Sequence, residues 1–115
     1  MKRLLLVVLS LMMVIILVAA PVKLTILHMN DTHGHMWTYG DKNGTGGFER
    51  IQAKISMVKS KAAEENGHVL VLHAGDVNTG IPESDQLNAI PDFLGLSVMG
   101  VDAMCPGNHE FDKEA

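Results

Sequence analysis

The sequence predicts an α/β fold with a parallel sheet, and three observations support this. Strand-like apolar runs alternate with stretches of helical periodicity, in the order strand, helix, strand, helix, strand. Each predicted strand ends in a polar segment: NDTHGH at residues 30–35, AGD at 74–76 and PGNHEFD at 106–112. No internal repeat or low-complexity tract interrupts this order. Because open α/β sheets bind ligands at the carboxyl ends of their strands, the three polar segments are candidate site residues.

The first predicted strand and its connection occupy the region after the leader. Residues 23–29 alternate in polarity and end directly before the first polar segment, as expected of a strand that delivers side chains to a loop. Residues 38–47 contain four glycines. We interpret this second stretch as a flexible connection to the first helix.

The first helix is predicted from one apolar stripe. Its members recur at steps of three and four residues: Phe48, Ile51, Ile55, Val58 and Ala62. The opposite face is rich in charged side chains, so the helix should pack on the sheet through its apolar side. The Asn-Gly pair at residues 66–67 predicts the end of this helix.

The remaining elements follow from apolar runs and turn residues. Residues 69–72 are all apolar, which predicts a strand buried on both faces of a parallel sheet. A long loop is predicted over residues 77–89. Pro91 should open a second helix that Gly100 ends, and a last strand is expected at residues 102–105.

The first 20 residues have the layout of an export leader. A basic start is followed by residues 4–20, in which Ser10 is the one polar side chain. These 17 residues lie at the lower edge of the roughly 17–25 that span a bilayer, so an uncleaved membrane anchor competes with a cleaved signal peptide. Pro21 would be an unusual first mature residue, and a buried core helix is the third interpretation. We expect a periplasmic, cell-surface or extracellular protein.

The charge balance narrows the classes of partner. The net charge is −4, and without Lys2 and Arg3 it becomes −6, since 7 basic and 13 acidic residues remain. Nucleic acid and acidic membrane surfaces are therefore unsuitable partners. The surplus of carboxylates fits divalent-cation binding and equally fits a solvated acidic surface.

Cys105 is the only cysteine, so the chain cannot form an internal disulfide. It lies in the apolar stretch 103–106, which predicts a small buried strand residue. The absence of other cysteines also excludes zinc-finger and iron–sulfur sites.

The polar segments contain ligands suited to divalent cations. Asp31 and His33 lie two residues apart in a glycine-bounded loop, so a carboxylate and an imidazole can converge on one cation. Asp76 can bridge two cations through its two oxygens, and Asn108 offers a neutral carbonyl oxygen. Each segment alone is also explained as a turn or a helix cap. The occurrence of all three at strand ends favours a metal site.

These segments resemble a known family. Residues 30–35, 75–76 and 107–110 look like the first three signature blocks of the calcineurin-like metallophosphoesterases. The forms NDTHGH and NHEFD, with GIPESD at residues 80–85 between them, resemble the secreted 5′-nucleotidase and UDP-sugar hydrolase branch in particular. The resemblance implies a four-layer α/β/β/α fold. Residues 21–115 would then be the N-terminal portion of a catalytic domain, which we expect to be incomplete because Ala115 follows so directly on the richest motif.

The resemblance also implies a dinuclear centre with two divalent ions drawn from zinc, manganese, cobalt or magnesium. By this analogy Asp31 and His33 hold the first ion, Asp76 bridges, and Asn108 holds the second ion. The remaining histidine ligands and the substrate-binding residues that recognise the nucleotide are expected downstream of Ala115. The oligomeric state is left open.

The resemblance assigns catalytic roles to the last segment. His109 would act on the scissile phosphate, and Asp112 would orient its ring; the competing interpretation is a structural hydrogen-bonded pair in a turn. His35 would not bind a metal ion directly, but would orient a metal ligand or contact phosphate.

The implied function is an exported phosphoester hydrolase that releases phosphate from nucleotides or cleaves nucleotide sugars. A cyclic-nucleotide phosphodiesterase of the same superfamily is the alternative. A third interpretation is a catalytically incompetent fragment, and we expect residues 1–115 alone to hydrolyse little, because four protein ligands do not satisfy two cations.

Overall fold

A computed structural model describes residues 21–35 and 46–112, together with Leu4, Leu6 and Val7. The predicted leader therefore lies almost wholly outside the described residues, as do most of the connection at 38–47 and the last three residues, which end at Ala115. Leu4, Leu6 and Val7 are exposed. Among the residues that are described, no helix combines the length and the apolar character needed to cross a bilayer.

The described strands form one parallel three-stranded sheet, as predicted. Strands β1 (Leu24–Met29), β2 (His68–His73) and β3 (Ala103–Met104) lie side by side in chain order. β1 and β2 pair along their whole length, whereas β3 pairs with β2 over two residues. All three therefore direct their carboxyl ends toward the same edge of the sheet.

A side chain extends the short pairing between β2 and β3. The Asp102 carboxylate accepts a hydrogen bond from the Val71 N–H at 2.8 Å, and the Asp102 N–H donates to the Val71 carbonyl at 2.8 Å. This reciprocal pair fixes the chain just before β3, which is shorter than the predicted strand at 102–105.

The longest described helix confirms the stripe seen in the sequence. Helix α1 spans Phe48–Glu64 and buries Phe48, Ile55 and Ala62. It ends where Asn66 adopts a φ of 52°, which lets the Gly67 N–H donate to the Ala62 carbonyl at 2.8 Å.

The predicted second helix is also present, and the loop before it holds an unpredicted one. Helix α2 spans Pro82–Gln86 and helix α3 spans Ile90–Met99, with Gly100 in the left-handed region at the end of α3. The expectation of an irregular loop over residues 77–89 was therefore wrong for its middle. The five-residue helix was missed because it is too short to show an apolar period.

The core lies between one face of the sheet and helices α1 and α3. Its buried members are Phe48, Ile55, Val71, Val77, Leu96 and Met99. The opposite face is uncovered within the described ranges, where Leu24 and Ile26 are each 54% exposed. On the same face of β2, Leu70 and Leu72 are only half-buried, so the prediction that β2 is fully buried on both faces is wrong within the described ranges.

Cys105 also differs from its predicted place. It follows β3 instead of lying in it, and its side chain is exposed. The Cys105 N–H still donates to the His73 carbonyl at 3.1 Å, and the next residue, Pro106, has no N–H to donate.

Candidate active site

The loops after β1 and β2 are joined by backbone hydrogen bonds. The N–H groups of Asp31, His33 and Gly34 donate in turn to the carbonyls of residues 75, 76 and 77, at 3.0, 3.1 and 3.0 Å. Asp31, His33 and Asp76 all adopt positive φ angles, of 53°, 45° and 58°. Non-glycine residues in this region are strained, and such strain clusters at functional sites. The paired loops hold three candidate ligands in a costly but defined conformation.

The loop after β3 approaches Asp76 so closely that only glycine fits. A Cβ atom on Gly107 would lie 2.2 Å from the Asp76 Oδ1 atom, and one on Gly75 would lie 2.2 Å from the Gly107 nitrogen. The His109 N–H donates to the same Asp76 oxygen at 3.0 Å. The Asp76 carboxylate is thereby held between the second and third polar segments.

The structure brings three candidate residues together as a possible metal-binding group. One ligand atom from each of His33, Asp76 and His109 lies within 4.8 Å of the others. The Nδ1–H of His33 donates to the Thr79 carbonyl at 3.1 Å, because a carbonyl can only accept. The Nε2 lone pair of His33 is then available to a cation. This donor set of imidazole and carboxylate fits a borderline divalent ion.

Asp31 lies beside this group with a carboxylate suited to a cation. Its Oδ1 is 3.6 Å from the His33 Nε2 atom. A hydrogen bond from the Asn30 side chain lowers the pKa of Asp31. Partial desolvation acts in the opposite direction, and interactions with Asp76 and His33 lower the pKa further. The predicted pair Asp31 and His33 is therefore together in space, and the site carries anionic charge that a divalent cation would offset.

His109 and Asp112 form the predicted close pair. The Nδ1 atom of His109 lies 2.5 Å from the Asp112 Oδ2 atom. This hydrogen bond, opposed by partial desolvation, raises the pKa of His109. The imidazole of His109 meets that of His33 edge to face, with centroids 4.9 Å apart. Because Nδ1 is engaged, Nε2 is the atom left to meet a substrate or a cation.

The other two predicted site residues lie at the margin of the group. Asn108 is exposed and precedes the 3₁₀ turn His109–Phe111, directly after the glycine that contacts Asp76. His35 is exposed, and its Nδ1 donates to the Thr32 carbonyl at 3.1 Å. The metal role of Asn108 and the supporting role of His35 remain predictions. The same holds for the substrate-binding residues expected downstream of Ala115.

Glu110 has a structural role that the sequence analysis missed. Its carboxylate accepts four backbone N–H groups: those of Asp76 at 2.9 Å, Val77 at 2.7 Å, Asn78 at 3.1 Å and Gly107 at 2.5 Å. Burial alone would raise its pKa, but these hydrogen bonds outweigh burial and lower the pKa of Glu110. The signal available in the sequence was an acid placed between the two predicted catalytic residues, His109 and Asp112.

We predict that Glu110→Gln destabilises the protein. The amide nitrogen cannot accept, so two backbone N–H groups lose their partner, at an expected cost of about 2–3 kcal/mol in the free energy of unfolding. Urea unfolding checks this, with Glu83→Gln as the control because Glu83 is exposed on α2. Equal unfolding midpoints for the two variants would contradict the role assigned to Glu110.

A buried histidine, His73, contacts the loops that follow β1 and β2. His73 is 2% exposed; its Nδ1 accepts the Gly75 N–H at 3.1 Å, and its Nε2 faces the Thr32 hydroxyl at 3.3 Å. Burial lowers the pKa of His73, against the smaller opposing effects of Glu110 and Asp31. The ring is therefore neutral with its proton on Nε2, since Nδ1 must keep its lone pair.

We predict an acid-sensitive contribution of His73 to stability. Its pKa is lower in the folded protein than the ordinary 6.5, so the contribution is complete above pH 6.5 and is lost as the pH falls through the folded value. Urea unfolding between pH 8 and pH 5, about the ordinary histidine range, should show this loss, and His73→Gln should flatten it. His28→Gln, on the exposed face of β1, serves as the control. An identical pH dependence in all three proteins would contradict the prediction.

Comparison with known proteins places this geometry in a family. The family model described as calcineurin-like phosphoesterase matches residues 24–115. Over 91 residues the chain is 47% identical to silent protein UshA(0) of Salmonella typhimurium and to protein UshA of Escherichia coli. It is 49% identical to the 5′-nucleotidase of Vibrio parahaemolyticus, also over 91 residues.

Each of these matches covers 79% of the chain and 16% of the relative. The chain thus spans about one sixth of the length of these curated relatives. The family match covers the three-stranded sheet, both longer helices and every residue of the candidate site. This chain belongs to the calcineurin-like phosphoesterases.

Proposed function

We propose that this chain supplies ligands and the catalytic histidine of an exported, dinuclear-metal phosphoester hydrolase. Its substrates would be nucleotides or nucleotide sugars. The observation that carries the proposal is the convergence of His33, Asp76 and His109 at the carboxyl edge of a parallel sheet. The fit of these side chains to divalent ions supports the metal-dependent class.

Four side chains would hold the metal ions. Asp31 and His33 would bind the first, Asp76 would bridge, and Asn108 would bind the second. When bound, two such ions activate water and neutralise charge on a phosphoryl group during in-line displacement. The carboxylate of Asp76 is already positioned by the His109 N–H and by the contact with Gly107, so little reorganisation is needed.

His109 would act on the phosphoryl group through Nε2. Asp112 holds Nδ1, and the raised pKa of His109 favours the form in which Nε2 also carries a proton. That N–H can donate a hydrogen bond to a phosphoryl oxygen as its negative charge grows. The same proton is available to the leaving oxygen.

The nucleotide substrate class is supported by what a relative of the chain is named for. The Vibrio parahaemolyticus relative is a 5′-nucleotidase, and it aligns with 79% of the chain. A product screen on the protein expressed from its complete gene tests the assignment. With Mn²⁺ present we expect phosphate from AMP and UMP from UDP-glucose, and EDTA should abolish both.

The controls separate the alternatives within the family. Turnover of 3′,5′-cyclic AMP without turnover of AMP would favour the cyclic-nucleotide alternative. No turnover of any phosphoester by the metal-loaded protein would contradict the proposal. Residues 1–115 expressed alone should show little turnover, and turnover equal to that of the complete gene product would contradict this expectation.

Export is the second part of the proposal, and it rests on the basic start and apolar run of residues 1–20. Cell fractionation with mass spectrometry of the N-terminus tests it. A mature N-terminus at Pro21 would indicate cleavage, and an intact Met1 in the membrane fraction would indicate an anchor. Retention of the protein in the cytoplasm would contradict export.

A further inference from the structure

A buried acid lies outside the proposed catalytic group. Asp92, in the first turn of α3, and Ser84, in α2, are each 1% exposed. Neither carboxylate oxygen of Asp92 has a partner at good hydrogen-bond geometry among the residues described, and the same holds for the Ser84 hydroxyl that lies near it. Buried polar groups without partners destabilise a fold, so this pair needs an explanation other than stability.

Ser84 lies directly under the loop that carries two proposed ligands. A Cβ atom on Gly34 would lie 2.5 Å from the Ser84 Cβ atom and 3.0 Å from its hydroxyl oxygen. Gly34 itself donates its N–H to the Val77 carbonyl at 3.0 Å. The turn is therefore fixed on one side by the β2 loop and on the other by Ser84, next to His33.

The charge distribution links Asp92 to the same turn. Burial raises the pKa of Asp92, while the nearby Ser84 hydroxyl, the first-turn backbone and the charge of His35 act in the opposite direction. His35 immediately follows Gly34. Asp92 therefore lies near Ser84, and Ser84 is the side chain that packs against Gly34 in the turn.

We propose that Asp92 and Ser84 are positioning residues for the metal site, acting on the turn at residues 31–35 from beneath. This inference rests on the proposed metal-dependent function. The turn must keep the Nε2 atom of His33 directed toward Asp76, and its backbone is already in a strained conformation at His33. A buried polar support that resists displacement of Gly34 keeps this orientation at some cost in stability.

Asp92→Asn tests the inference in the protein expressed from its complete gene. Mn²⁺ affinity is measured by isothermal titration calorimetry, the melting temperature by calorimetry, and kcat and KM at several Mn²⁺ concentrations. We expect the Mn²⁺ dissociation constant to rise about tenfold or more, the effect typical of residues that orient a ligand. The melting temperature should be unchanged or higher, and kcat should recover at saturating Mn²⁺.

Matched variants keep the test independent of folding. Ser84→Ala should weaken Mn²⁺ binding in the same direction. Asp85→Asn in α2 and Ser97→Ala in α3, both at exposed positions, should leave it unchanged. Recovery of kcat with added Mn²⁺ at an unchanged melting temperature is a result that a purely structural role would not give, because a destabilised variant would also melt at a lower temperature without Mn²⁺.

Three outcomes would overturn the inference. Unchanged Mn²⁺ affinity in both Asp92→Asn and Ser84→Ala would refute it while leaving the proposed function intact. A fall in melting temperature that accounts for the whole loss of Mn²⁺ binding would assign the pair to folding. Failure of the unmutated protein to bind Mn²⁺ would refute the proposed metal function and this inference with it.

Discussion

Replacing Asp76 with asparagine is expected to lower kcat/KM for a nucleotide substrate by about 10³-fold, the upper range for loss of a preorganised charged group at a reacting centre. The substitution would keep the size of the side chain but remove the charge that lets one residue bridge two cations. The His109 N–H and the Gly107 backbone contact the Asp76 carboxylate, and in the variant they would meet an amide group instead. Metal binding and catalysis should therefore fall together.

Steady-state kinetics and Mn²⁺ titration measure the two losses. Asp85→Asn is the matched control, because it changes the same functional group on an exposed position of α2. We expect the unmutated protein to bind two equivalents of Mn²⁺ and the Asp76→Asn variant to bind fewer than two. Retention of full activity in this variant would show that Asp76 does not bridge metal ions.

His109→Gln is expected to lower kcat by about 10²–10⁴-fold, the usual contribution of a positioned acid or base. Glutamine can still donate a hydrogen bond, but it cannot carry the proton that a leaving oxygen requires. The backbone N–H that holds Asp76 is unaffected by the substitution, so Mn²⁺ binding should change much less than kcat. An equal loss of Mn²⁺ affinity would instead assign His109 to the metal ligands.

The pH profile tests the pairing with Asp112. The hydrogen bond to Asp112 raises the pKa of His109 above the ordinary 6.5, so the protonated form persists to higher pH and kcat should fall as the pH rises through that raised value. In Asp112→Asn the fall of kcat should occur at lower pH, because the interaction that raises the pKa of His109 is lost. His68→Gln, at an exposed position on β2, is the control. A fall of kcat at the same pH in both proteins would show that Asp112 is a structural residue of the turn.

Local patterns were sufficient to predict the strands, the two longer helices and the edge of the sheet at which the candidate residues lie. The apolar stripe of α1 is set by 3.6-residue periodicity, and the polar segments follow parallel strands whose carboxyl ends share one edge. Proximity of His33 and Asp76 follows from that topology alone. The pairing of His109 with Asp112 came from the family resemblance, and the structure places their side chains in contact.

Features that depend on packing between distant segments could not be predicted in this way. Glu110 lies 34 residues from Asp76, and nothing local shows that one carboxylate will accept four backbone N–H groups. The burial of Asp92 depends on the packing of α3 against α2 and the rest of the fold, which no local pattern reveals. The exposure of Cys105 follows from the early end of β3, which composition does not reveal.

The most direct test of the central claim is anomalous diffraction at the manganese edge, from crystals of the protein expressed from its complete gene and grown with Mn²⁺. We predict two peaks about 3.5–4 Å apart, the spacing of two-metal hydrolytic sites, with the Asp76 carboxylate between them. Asp31 and His33 should contact one peak, and Asn108 should contact the other. Peaks elsewhere, or none beside Asp76, would contradict the assignment of this edge of the sheet as a dinuclear centre.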